Sequence, residues 1–193
     1  LDRIDDDELP RDPAYYRALF NKLDKEVKDS FYGKKFNLRV QENLKAIAGT
    51  QLPSISGQNV DGRPFDPLQI RGKFTLVAFW RSLNKESAQE MISLKDLYKK
   101  HHASGFEILA ISFDKNPERW KTFIQTNDLP WINICDFEGA SSPNLEKFNN
   151  DRVPFYFLVG PDLKIRARDV RISELPIYLK EYFSGRTGPA TGI

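Results

Sequence analysis

Asn84 and Ser87 stand three residues apart where an apolar run, residues 74–80, breaks into a polar turn and a segment of helical spacing begins. The run reads as a strand buried on both faces. A strand, a turn and a helix aim the first N–H groups of that helix at whatever occupies positions 84–87, so the place is positively polarised. Arg81 and Lys85 add charge of the same sign and Glu86 opposes it, which makes a carboxylate or phosphate site one reading. A nucleophile is another. An amide cannot serve as one, and a serine hydroxyl titrates too high without a general base. His101 and His102, the sole histidines, fall about four turns away at the far end of the same helix, so a serine hydrolase arrangement lacks its partners.

The remaining reactive side chain is Cys135, the one cysteine of the chain. It excludes an intrachain disulfide, an internal dithiol and a multi-cysteine zinc site. It ends a predicted strand beside Asp136, whose negative charge disfavours thiolate. The expected role is that of a buried small hydrophobe.

The elements that must position these groups are legible as pattern. Proline at 13 after Asp12 opens a helix expected to reach Ser30, with Tyr16, Leu19, Phe20, Leu23 and Val27 on one stripe. Tyr32 and Gly33 read as a break, and Asn37 as the cap of a second helix carrying Val40, Leu44 and Ile47 and ended by Gly49. This helical preface is expected to dock on the domain that begins at Gly49. Residues 55–60 and 63–65 around Asp61-Gly62 read as a hairpin. After the central strand come a helix over 86–100, a parallel strand over 106–113, a helix capped by Asn116 and a third strand over 131–135. A short helix through Leu145 and Phe148, a hairpin of 155–159 with 164–167, and a last helix capped by Ser173 complete the order. Trp80, Trp120 and Trp131 lie in apolar patterns and read as core. Lys164, Arg166 and Arg168 alternate with apolar residues, as on an edge strand with one solvated face.

Composition bounds the rest. The chain has 193 residues, 40% apolar, with 29 basic and 27 acidic side chains for a net charge of +2. No global field favours nucleic acid or an anionic membrane, and no apolar run of about eighteen residues suggests a span. The start, LDRIDDDELP, lacks the pattern of a signal peptide, so a removed targeting segment is expected.

Five stretches in order, GTQLPSI with the later NVDGRPF, RGKFTLVAFWRS, GFEILAISFDKNPERWKTFI, LPWINICDFEG and VPFYFLVGPDLKIRAR, resemble the thioredoxin-fold thiol-disulfide oxidoreductases of the TlpA and ResA type, within the redoxin and AhpC/TSA grouping. The resemblance implies an α/β thioredoxin-like fold over 49–184: three layers, a mixed sheet, an N-terminal β-hairpin and a central αβ insertion. A helical preface over 1–48 and a disordered tail over 185–193 flank it. It also implies a CxxC motif in the turn after the FW strand, whose first thiol a helix N-terminus turns into a thiolate and whose second resolves the mixed disulfide. Those two positions here are Asn84 and Ser87, so no catalytic residue is expected. The proline–threonine–cysteine constellation of peroxiredoxins is likewise missing from 81–87. Val153-Pro154 matches the family's cis-proline, which lies against that turn. The expectation is therefore a redox-inactive binding or structural module of a periplasmic or membrane-anchored extracytoplasmic protein. It would hold a protein or peptide on Trp80, Arg81, Ser82, Leu83, Asn84, Lys85, Glu86, Ser87, Val153 and Pro154, with no cofactor, metal or nucleic acid. The alternatives are an oxidoreductase or antioxidant protein, acting through Cys135 with an external thiol, and the anion site above.

Overall fold

Every residue of β1 (Phe74–Trp80) is buried, because alternate side chains serve two separate cores. Phe74, Leu76, Ala78 and Trp80 face one, Val77 and Phe79 the other. The computed structural model describes residues 13–44, 46–150 and 152–185, without the side chains of 42 and 43. The acidic stretch 1–10, the Asp12 cap and the tail beyond Gly185 lie outside them.

β1 is flanked by β2 (Phe106–Ser112), parallel to it, and β4 (Phe155–Val159), antiparallel. β3 (Ile132–Cys135) joins the outer side of β2 in parallel and β5 (Ile165–Arg168) the outer side of β4 in antiparallel, giving the order β3-β2-β1-β4-β5. This is the mixed sheet of the thioredoxin-like fold. One face packs on Met91 of α4 (Lys85–Ser93), Leu94 at the junction with α5 (Lys95–His101), Tyr98 of α5, Trp120 and Ile124 of α6 (Pro117–Thr126), and Leu175 and Leu179 of α8 (Leu175–Phe183). The other packs on Ala46, Ile70, and Leu145 of α7 (Pro143–Lys147) with Phe148 just after it. At the base of the sheet the buried Glu107 carboxylate takes Lys73 Nζ at 2.7 Å and the Tyr98 hydroxyl at 3.0 Å, so its burial is compensated.

The expected 86–100 helix divides at Leu94, where Ser93 Oγ donates back to Glu90 O at 2.7 Å, a bond that bends helices. The expected N-terminal hairpin shrinks to single bridges. Gln58 pairs with Pro64, which has no N–H to extend a ladder, while Asn59 Oδ1 organises the turn by accepting from Asp61 and Arg63 N–H. Gln58 also exchanges both main-chain bonds with Cys135, and the segment 49–52 pairs with Leu163 and Ile165. The β5 edge is thereby covered where its strand begins. Arg168 is not solvated there: its guanidinium donates to Phe148 O and Asn149 O and lies over the Phe155 and Phe157 rings.

The preface differs most. It folds as α1 (Pro13–Asn21), α2 (Lys25–Asp29) and α3 (Phe31–Asn43). Tyr32 and Gly33 lie inside α3 rather than breaking it, and Asn37 is mid-helix rather than a cap. The cap is Ser30, whose Oγ accepts from Gly33 N–H at 3.0 Å. Phe20, Phe36 and Val40 form a small core of their own. Ser173 does not cap the last helix either; it falls within a single 3-10 turn, Ile172–Glu174, and Pro176 opens α8.

Candidate functional site

β1 ends at Trp80, and the chain turns through Arg81, Ser82 and Leu83 into α4. Asn84 is the N-cap: its backbone is extended and its Oδ1 accepts from Ser87 N–H at 2.9 Å. Its amide nitrogen donates to Val153 O at 3.3 Å across the site. One side chain thus fills an orphan donor of the helix and fastens the turn to the loop before β4. The Val153-Pro154 bond is cis, as read from the sequence. The Val153 N–H has no partner among the described residues.

Ser87 is fully buried. Its hydroxyl accepts from Arg81 N–H at 3.1 Å and donates to Arg81 O at 2.9 Å, closing the turn on itself. Its hydrogen is committed, and His101 and His102 stand at the opposite end of α5. A serine nucleophile is therefore absent from the geometry. Trp80 is also fully buried, its ring tilted against Phe123 in the core at 5.2 Å between centroids. These two residues support the site from below, and the accessible surface is left to Arg81, Ser82, Leu83, Asn84, Lys85, Glu86, Val153 and Pro154. Leu83 is 62% exposed at its tip. As for an anion, Asn84 already occupies one of the helix N–H groups it would use.

Two groups under the turn were not read from the sequence. Asp114, just beyond β2, is 2% exposed and has no ion-pair partner among the described residues. Its carboxylate accepts instead from Ser82 N–H at 3.0 Å, Ser82 Oγ at 2.7 Å and Ser112 Oγ at 2.7 Å, so burial is compensated by donors alone. The one signal available was an acidic residue directly behind an apolar run. The second is Tyr156, whose hydroxyl donates to Glu90 Oε2 at 2.7 Å and ties β4 to α4. Burial, and then the Glu90 carboxylate, hold that phenol far above its usual range.

Cys135 lies beneath the same network. It is fully buried, its thiol donates to Asp114 O at 3.3 Å, and it accepts from Phe137 N–H at 3.4 Å. Burial pushes the thiol up to about 11, against smaller lowering from the Phe137 N–H and the Ser112 side chain and with Asp136 and Asp114 adding to the rise. The expected buried hydrophobe is what is found. Among the described residues no cluster of His, Cys, Asp and Glu could hold a metal ion, and no helix is long and apolar enough to cross a membrane.

Comparison with known proteins fits this geometry. A model of the AhpC/TSA family matches residues 48–168. The thiol-disulfide oxidoreductase ResA of Bacillus thuringiensis subsp. konkukian is 24% identical over 138 residues, which span 72% of this chain and 78% of that protein. Among solved structures, a thiol-disulfide oxidoreductase from Bacteroides fragilis superposes with a TM-score of 0.64 at 31% identity, over 69% of this chain and 99% of the other. The C-terminal domain of a putative thiol-disulfide oxidoreductase from Bacteroides thetaiotaomicron gives 0.65 at 28% identity, over 71% and 96%.

Proposed function

The chain belongs to the AhpC/TSA family and has the thioredoxin-like fold of its thiol-disulfide oxidoreductases, and from that premise we propose that it is a redox-inactive member that holds an extended segment of a partner protein. The observation that carries the reading is Asn84. Where the resemblance puts a nucleophilic thiol, an amide caps the helix with one end and grips Val153 O with the other. Ser87, at the second thiol position, closes the turn on Arg81 and offers nothing to solvent.

What remains accessible suits recognition. Exposed Leu83 stands next to Asn84, and Asn84 touches the loop whose Val153 N–H is unpartnered among the described residues. An apolar side chain and a main-chain donor side by side are what an extended peptide uses. On this reading the unit that carries the role is 49–184, in a periplasmic or membrane-anchored extracytoplasmic protein, and the likeness to ResA supports that location.

The names of the relatives favour a second reading, an oxidoreductase acting through Cys135 with an external thiol. The buried, hydrogen-bonded thiol is poorly suited to it, since attack requires an accessible thiolate. Insulin reduction by dithiothreitol separates the two. The expected result is no acceleration by the native chain or by Cys135→Ser; turnover that disappears in Cys135→Ser overturns the inactive reading. Capture of partner proteins by the native chain, lost in Leu83→Asp and in Pro154→Ala, is the positive test.

A further inference from the structure

Ten large hydrophobic side chains are exposed among the described residues, and six of them, Tyr15, Leu19, Val27, Phe31, Tyr32 and Leu38, lie within 13–44. Isolated exposed apolar residues need no explanation, but a concentration of them does. α3 shows how they are arranged. Phe36 and Val40 point into the small core, and the opposite face carries Phe31, 75% exposed, and Leu38, 61% exposed, which fall almost in line at helical spacing. Between them lie the exposed Lys34 and Lys35, neither with an ion-pair partner among the described residues.

This mixture identifies its occupant. Lysine is depleted at the centre of protein–protein interfaces, because its ammonium must be stripped of water there. At a lipid surface the same residue is favoured: its stem runs along the apolar boundary while its head reaches the phosphates. An apolar centre of Phe and Leu flanked by lysines matches the second environment. The local charge agrees. Residues 13–44 hold seven basic and four acidic side chains, and the one acidic residue of α3 is Glu42, in its last turn. We propose that the outward face of α3, Phe31, Lys34, Lys35 and Leu38, lies on an anionic lipid surface without crossing it. The near-neutral total charge conceals this, because residues 1–12 carry six acidic and two basic side chains. That segment opposes the same surface, so the full chain is the fair test.

Co-sedimentation of the full chain with sucrose-loaded vesicles provides it, using phosphatidylcholine alone and phosphatidylcholine mixed with phosphatidylglycerol. The mixed vesicles are expected to carry the protein down and to lose it as salt is raised. Lys34→Glu with Lys35→Glu should lower partitioning at least about tenfold, since each lysine near such a surface is worth roughly fivefold. Phe31→Ser with Leu38→Ser should lower it similarly while circular dichroism and the melting temperature stay unchanged, because both side chains are exposed. No binding to the mixed vesicles overturns the proposal, as does binding that either double variant leaves intact. A native dimer that Phe31→Ser with Leu38→Ser dissociates would overturn it in favour of a second copy on this face.

Discussion

Asn84 fastens the turn, capping α4 with one end of its amide and reaching Val153 O with the other, and Cys135 is held just as firmly. The thiol is packed away, bonded on both sides and raised to about 11 by burial. A raised acid pKa means that the unfolded chain releases its proton first. The stability this thiol contributes is therefore complete below the ordinary value of 9.0 and is lost as pH rises from there through about 11. The loss should be of order 2 kcal/mol across that window. Urea melts of the native chain and of Cys135→Ala at successive pH values will read it: the native chain should fall more steeply between those limits. Tyr98 and Tyr156, whose phenols are also raised, contribute a further decline common to both proteins. Equal slopes would mean that the thiol already titrates in the fold, as a reactive cysteine would.

At the scale of elements, Gly33 decides how α2 and α3 meet. A Cβ there would overlap Val27 O and stand 2.7 Å from Lys28 O, both backbone atoms that cannot step aside. Gly33→Ala should therefore destabilise the helical trio by about 2 kcal/mol or more. Hydrogen exchange should show protection falling over 25–43 and not in β1 or β2, because the trio has its own core of Phe20, Phe36 and Val40. The same glycine explains a misread boundary. From sequence it looks like punctuation, because a glycine that ends a helix and a glycine that lets two helices touch are the same letter. Strands β1, β2 and β4 were legible, since burial on both faces writes a continuous apolar run. The turn was legible too, from the apolar run that stops there, while the cis-proline came through the family resemblance alone. The Asp114 and Tyr156 contacts were not, because they join residues 32 and 66 positions apart in the chain and local pattern carries no trace of such pairs.

For the molecule as a whole, the support beneath the turn is complete with Asn84 and Ser87 in place: Asp114 holds Ser82, Tyr156 holds Glu90, and α4 presents its N-terminus. Asn84→Cys with Ser87→Cys would place two thiols about 5 Å apart at the first turn of a helix, within disulfide range. The double variant should reduce insulin at least about tenfold faster than the native background, because a helix N-terminus favours thiolate. Failure to gain activity in a folded variant would show that more than the thiols is missing. The reach of residues 49–58 bears on a different property. This one stretch bonds to the start of β5 and to the end of β3, the two border strands, each only four residues long. Each short border is thereby closed at one end, at Cys135 and at Ile165, which shortens the open length that strand addition and polymerisation could use. Cutting the chain after residue 58 would unseal both borders at once and should turn a dispersed protein into a fibril former.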